Sequence, residues 1–408
     1  MPGAARRWAD AAVSRFLFVV PPLTGHVNPA VGIAGELAAR GHQVAVAGHA
    51  GVIGELVPPG LPLLALPETL DEADRAEIVA RSRALRGAAS LKFLWEDFLL
   101  PLAAAMEPAI DEAVDAFRPD ALVIDQQAVG AALVARRRRL RWATLATTPA
   151  ELDNPYGVMA GLGRWITDLL RDFQLARGVP AVEAAAGDLR FSDELTLVAS
   201  VRELLRNPEV PGHVAFVGSP VGRRAQTASF PWEWLDPDRE TVLVSLGTVT
   251  REAGGRFLRA AAEGMLGLAG RAQTVLVAPA GLVDDLAAAA PDDLLVAPIV
   301  PQVDLMPRLS AVVCHAGNNT VCESLSHGVP LVVAPVRDDQ PVIGEQVVRS
   351  GAGLRIKFGR AGPAAVRAAV TSLLDEPGHR EAAGRLRDAF AAAGGVAAAA
   401  DRLEKLVA

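Results

Sequence analysis

One segment constrains this chain more than any other: residues 311–340, AVVCHAGNNTVCESLSHGVPLVVAPVRDDQ. Its apolar opening is short, continuous and β-branched, which predicts a buried parallel strand. Gly317 frees the backbone, and a helix is expected to start near Asn319 or Thr320. Gly328 and Pro330 end that helix, and residues 331–334 return as a second strand. Strand, turn, helix and strand in that order form a parallel βαβ unit. A helix N-terminus just past a parallel strand presents free N–H groups and the positive end of the helix dipole, so it suits an anion. His315 and the side chains of Asn319 and Thr320 add donors. Glu323 lies one turn after Asn319 on the same face, where a carboxylate accepts from two ribose hydroxyls. Asp339 and Gln340 follow the second strand at the same sheet edge and suit a polyol. A phosphate site, a ribose site and a polyol site in one unit predict a nucleotide sugar.

The rest of the chain repeats this alternation of strand and helix, which predicts an α/β fold with mostly parallel sheets. In the first half, residues 15–20, 43–48, 121–125, 142–148, 195–200 and 213–218 read as strands. A helix is expected over 29–40, with Asn28 as N-cap, Pro29 in its first turn and Gly41 as its stop. Residues 219–240 are polar, aperiodic and contain Pro, and read as a linker. In the second half the strands are expected at 241–248, 273–278, 294–297, 311–314 and 331–334. Residues from 362 onward are rich in Ala, Arg and Leu and read as helical. The expected domains are therefore 1–218 and 241–408.

The 408 residues suffice for two cores. A net charge of −7 and the lack of a basic stripe interleaved with aromatics argue against nucleic acid as a partner. Arg136 to Arg141, the one basic run, is expected to be a solvated helix end. Cys314 and Cys322 are the two cysteines, and both read as small core residues in a reducing, cytoplasmic setting. No apolar run is long enough to cross a membrane, and residues 1–14 lack the apolar core of a signal peptide.

These motifs closely resemble the donor signature of the family 1 (UDP-type) glycosyltransferases, H-x-G-x-N-[ST]-x-x-E, then G-V-P, then P-x-x-x-D-Q. Here it is His315, Gly317, Asn319, Thr320, Glu323, Gly328-Val329-Pro330, Pro335, Asp339 and Gln340, in register throughout. Asn318 stands where many plant members carry Trp. The overall look is nearest to bacterial macrolide and natural-product glycosyltransferases. The resemblance implies GT-B architecture, with two Rossmann-like domains facing across a cleft and a last helix that crosses back to the first. It implies no cofactor and no metal. The donor would be UDP-glucose or a dTDP-deoxysugar, with Asp339 and Gln340 favouring the hydroxyl-rich glucose. The acceptor would be an apolar small molecule, and the protein a monomer or homodimer.

Gly25-His26-Val27-Asn28-Pro29 occupies the first βα loop, at the carboxyl end of the first strand, where a His faces the cleft. Imidazole serves as a general base near neutral pH without tuning. The family keeps a His in this G-H-x-x-P context. Asp125, at the end of the fourth expected element of this half, is its expected partner. Asp120 precedes that strand and should lie at the opposite edge. His42, His49, His213, His327 and His379 read as surface or capping residues. The family's S-x-G-[ST] turn is matched by Ser245, Gly247 and Thr248 at the diphosphate. Val300 and Gln302 match its nucleobase contacts, and Asn318 is grouped with the donor residues. Phe93 and Trp95, on an apolar helical stretch, and Tyr156, in a polar loop, are candidates for the acceptor wall. Transfer to a carotenoid, sterol or lipid, a UDP-sugar 2-epimerase and a non-catalytic nucleotide-sugar-binding protein are the alternative readings.

Overall fold

Strands buried on both faces need helices on both sides, and that requirement shapes each half of this chain. The computed structural model describes residues 13–68, 77, 78, 80, 81, 85, 87–153, 160–206, 209–220, 228–247, 254–288 and 291–408. Thr248 and Tyr156 lie outside these residues.

The first half contributes β1 (Arg15–Val19), β2 (Gln43–His49), β3 (Leu63–Leu66), β4 (Ala121–Asp125), β5 (Trp142–Ala146), β6 (Thr196–Val198) and β7 (Val214–Phe216). They form one parallel sheet in the order β3-β2-β1-β4-β5-β6-β7. The second half contributes β8 (Glu240–Ser245), β9 (Ala272–Val277), β10 (Leu294–Ala297), β11 (Ala311–Cys314), β12 (Leu331–Val333) and β13 (Gly353–Arg355). Its parallel sheet runs β10-β9-β8-β11-β12-β13. The longer helices are α1 (Thr24–Ala39), α2 (Leu100–Phe117), α3 (Val129–Arg138), α4 (Ala160–Leu175), α5 (Gly255–Leu266), α6 (Ala280–Ala288), α7 (Asn318–Ser326), α8 (Gln340–Arg349), α9 (Pro363–Asp375), α10 (Pro377–Ala393) and α11 (Gly395–Val407).

In both sheets the strand order reverses beside the first strand of that half. The reversal falls between β1 and β4 in one sheet, and between β8 and β11 in the other. Loops leaving adjacent strands at such a point diverge to opposite faces and open a crevice at the carboxyl edge. The first turn of α1 just past β1 carries His26, Asp125 is the last residue of β4, and the turns after β8 and β11 carry Gly247 and His315.

Two local readings are corrected. The first helix begins at Thr24, not at Pro29, so His26 lies in its first turn and Pro29 lies inside it. Pro29 removes the helical N–H that would bond the Gly25 carbonyl, and Asn319 Nδ2 donates to that carbonyl instead, at 2.9 Å. The Arg136–Arg141 run closes α3 as expected, with Arg137, Arg139 and Arg141 exposed, and it is also paired: Arg137 with Glu107, Arg138 with Asp111 and Asp115, and Arg136 with Gln174. His49 is buried at the end of β2 instead of lying at the surface. Within the expected linker, Phe230 and Leu235 are buried against the core of the second half.

Helix α11 returns to the first half and packs on α1. Ala399, Ala400 and Leu403 join the core formed by Phe16, Phe18, Ile33 and Leu37. At the rim, Arg40 pairs with Asp401 and Glu404, and His42 meets Glu404 at 3.1 Å. Leu403 is fully buried. Leu403→Ala is therefore expected to cost about 2–5 kcal/mol, seen as a lower urea midpoint. The outward connection after β7 and the return before α11 run side by side. A Cβ on Gly218 would lie 3.2 Å from Ala393 Cβ, and one on Gly395 would lie 3.5 Å from the Ser219 carbonyl. Gly218, Gly394 and Gly395 all have positive φ, at 75°, 83° and 60°. Among the described residues no helix is long and apolar enough to cross a membrane.

Candidate active site

His26 and Asp125 meet as expected. His26 Nδ1 lies 3.0 and 2.9 Å from the two carboxylate oxygens of Asp125. The Gln127 backbone N–H donates to Asp125 Oδ1 at 2.8 Å. Thr147, one residue past β5, completes the group: its hydroxyl donates to Asp125 Oδ2 at 3.0 Å and its oxygen lies 2.8 Å from His26 Nδ1. The carboxylate only accepts, so Nδ1 carries the proton and Nε2 is left with its lone pair. Asp125 is wholly covered, while 16% of the His26 side chain stays exposed. Asp120 accepts from the Arg15 backbone N–H at 2.7 Å, at the other edge of the sheet.

Burial alone would lower the His26 pKa. The charge and hydrogen bond of Asp125, with the charges of Asp339 and Glu151 behind them, raise it above its ordinary 6.5. Glu151 is held by Gln126 Nε2 at 3.2 Å and faces Arg190 at 3.7 Å, and burial pushes its carboxyl up. Asp339 is pushed up to about 6, by burial first and then by the charges of Asp338 and Glu151, against a hydrogen bond from Thr148. The mutual influence of His26, Glu151 and Asp339 joins the two halves of the cleft into one electrostatic site.

Opposite the dyad, the β11–α7 turn holds His315. Ala316 has φ 66°, a left-handed conformation that costs a non-glycine residue about 1–2 kcal/mol. Asp338, just before Asp339, has φ 56°. Gly317 is the N-cap of α7, so Asn318, Asn319 and Thr320 form its first turn. A Cβ on Gly317 would lie 2.5 Å from His315 Nε2, and one on Gly247 would lie 2.6 Å from its Cε1. The imidazole is thus held between two glycines. Burial, aided by the Arg337 charge, pushes its pKa down to about 4. At neutral pH the ring is uncharged and offers an anion an N–H rather than a positive charge. Its Nδ1 is buried with no hydrogen-bond partner among the described residues.

The remaining expected contacts divide. Ser245 ends β8, buried. Gln302 Nε2 donates to Glu323 Oε2 at 2.7 Å and reaches Thr320 Oγ1 at 3.5 Å, linking the expected base and ribose contacts. The Val300 carbonyl accepts from the Gln302 backbone N–H at 2.8 Å. Gln340 Oε1 accepts from the N–H groups of Val336 and Arg337, which leaves its amide nitrogen as the end that can donate elsewhere. Asn318 is used differently from the donor contact expected of it: its amide nitrogen is taken by two backbone carbonyls of the first half. Trp95 is 2% exposed and belongs to the first half's core, while Phe93 is buried with Arg81 over its ring. These rings lie on a π-helical stretch, Phe93–Leu99, that core packing rather than an open wall accounts for. Glu151, Thr147 and Thr148 are site residues that sequence reasoning missed. Each sits in the β5–α4 connection, where no motif singles them out.

Two facing parallel sheets, each with a crevice at its switch point, are the GT-B architecture of glycosyltransferases. The structure superposes on the glycotransferase of kitacinnamycin with a TM-score of 0.76 at 26% identity, over 97% of this chain and 100% of that one. Residues 266–406 match the erythromycin biosynthesis protein CIII-like C-terminal domain. The chain is also 28% identical to 4'-demethylrebeccamycin synthase of Lentzea aerocolonigenes, over 97% of this chain and 100% of the relative. It is 28% identical to demethyllactenocin mycarosyltransferase of Streptomyces fradiae, over 99% of this chain and 90% of the relative.

Proposed function

We propose that this protein is an inverting glycosyltransferase that moves a hexose from a nucleoside diphosphate sugar to a hydroxyl of an apolar natural product, with His26 as general base. The observation that carries this reading is the His26–Asp125 pair at one switch point, facing the His315 turn at the other. In that arrangement His26 Nε2 takes the acceptor's hydroxyl proton as the oxygen attacks the anomeric carbon. The bond from that carbon to the diphosphate oxygen breaks on the far side, which inverts the centre. Asp125 holds the resulting imidazolium. His315 and the free N–H groups of α7 receive the departing diphosphate. Likeness over nearly the whole chain to demethyllactenocin mycarosyltransferase and to 4'-demethylrebeccamycin synthase supports a natural-product acceptor. The test is transfer, read by mass spectrometry, from UDP-glucose and dTDP-deoxysugars to a panel of polyketide, indole and phenolic acceptors. No product with any pair, beside intact binding of UDP or dTDP, would favour a non-catalytic binding protein.

The base also sets a pH profile. His26 must be neutral to act, and its pKa is raised above 6.5. Activity therefore climbs with pH through that raised value, and the acid limb of kcat/KM is expected above 6.5. Asp125→Asn removes the charge that opposes burial, so the limb moves to lower pH while the rate plateau drops. A limb that stays in place would exclude Asp125 as the partner.

A further inference from the structure

Helix α7 grips the opposite domain at three backbone carbonyls. Asn318 Nδ2 donates to Thr147 O at 2.9 Å and to Ala199 O at 3.0 Å. Asn319 Nδ2 donates to Gly25 O at 2.9 Å. The Cys322 thiol approaches Ala199 O at 3.5 Å. Two of these carbonyls belong to residues that hold the dyad. Gly25 directly precedes His26, and its carbonyl is open to a side-chain donor because residue 29, which would supply the helical N–H, is proline. Thr147 is engaged at both ends: its hydroxyl touches Asp125 and His26, and its carbonyl is held from across the cleft.

Asn318 is not free to serve as a phosphate ligand in this arrangement. Both N–H bonds of its amide are spent on carbonyls, and its Oδ1 lies 3.6 Å from the Cys322 thiol. An oxygen does not donate to an anion. The residue is buried, and in this docked pose the carbonyls of Thr147 and Ala199 both accept from its amide.

We propose that Asn318 is a positioning residue for the general base: through the Thr147 carbonyl it sets the Thr147 hydroxyl against Asp125 and His26, so that the base is aligned when the donor-domain helix is docked. Docking of α7 on the first half and alignment of the base thereby become one event. The proposal rests on the reading of His26 as base, and its test must fail separately from that reading.

The test uses full-length protein with Asn318→Ala, Asn318→Asp and Thr147→Val. Aspartate keeps the shape of asparagine and turns two donors into two acceptors facing two carbonyls, so its effect should exceed that of alanine. The first readout is a histidine-selective 15N NMR titration of His26, which needs no substrate and whose other facing charges are Asp125, Asp339 and Glu151. The second is the Kd for UDP and dTDP by calorimetry. The third is kcat and donor KM for whichever transfer is found. We expect a changed His26 titration in all three variants, nucleotide Kd close to wild type, and kcat down by about 10²-fold with donor KM held. Should the Asn318 variants fail to fold, Thr147→Val alone must shift His26. Weakened nucleotide binding with an unshifted His26 in Asn318→Asp would overturn the proposal, as would an unshifted His26 in Thr147→Val. A shifted His26 in a protein that transfers no sugar would uphold the positioning and sink the transferase reading instead.

Discussion

His26→Ala lowers kcat by about 10²–10⁴ while leaving nucleotide affinity in place. The reason is the division of labour across the cleft. His26 bonds Asp125 and Thr147 in the first half, and every expected nucleotide contact lies in the second. Removing the imidazole takes away the proton acceptor without disturbing the His315 turn. The cleft wall keeps its other charges, Asp339 and Glu151, so the variant should also lose the steep acid limb seen in wild type. The comparison is made with saturating donor by product mass spectrometry, beside calorimetry with UDP and dTDP. A variant with normal kcat would remove His26 from the mechanism. A variant that lost nucleotide binding as well would place the imidazole on the donor.

Gly317→Ala is the largest effect expected from a single methyl group. Gly317 has ordinary backbone angles for alanine, φ −67° and ψ 134°, so the substitution strains nothing locally. The new Cβ would still sit 2.5 Å from His315 Nε2, well inside van der Waals contact. A Cβ on Gly247 would meet the same Cε1–Nε2 edge of the ring, at 2.6 Å from Cε1, so the turn accommodates this imidazole only with glycine at both places. The ring must rotate out of the turn, and the site loses an N–H aimed at the departing diphosphate. The loss of one such donor is worth about 10²–10³ in kcat. Gly359→Ala is the matched control, since its Cβ would meet nothing within 4 Å; it should stay within about 0.5 kcal/mol of wild type. Equal kcat in the two variants would mean that His315 does not serve the leaving group.

The parts of this site legible in the sequence are those that the backbone itself demands. Gly317 and Gly328 bracket a helix, Pro330 starts a strand, and the His, Asn, Glu, Asp and Gln at fixed offsets then fall at one edge. His26 and Asp125 could be paired because each follows an apolar run. Thr147 and Glu151 could not: a threonine past a strand looks like any β-branched residue, and only tertiary folding brings the β5–α4 connection to the dyad. The expected start of α1 was late because Asn28-Pro29 carries strong cap chemistry, yet packing of Val27 and Ala30 into the core draws the helix back to Thr24. Strands β3 and β13 were missed for lack of pattern. One is an LLAL run between prolines, and the other is three residues beginning with glycine. Asn318 was grouped with the donor by its place in the motif, and nothing in one half of a chain reveals a partner in the other.

The paired crossings at Gly218 and Gly394–Gly395 have a mechanical consequence. Two tethers set far apart would act as an axle and permit one rotation only. Tethers that share one spot, at residues able to adopt either sign of φ, form a universal joint. The halves can then tilt and swivel, and the covalent chain does not choose the closed pose. That choice falls to side chains distant from the joint: Asp153 holding Gln346 and Arg349 on α8, Ser90 meeting Asp338, and Asn318 seated on its two carbonyls. The shape of the cleft can therefore change by altering the pose at which these contacts close, without altering either sheet.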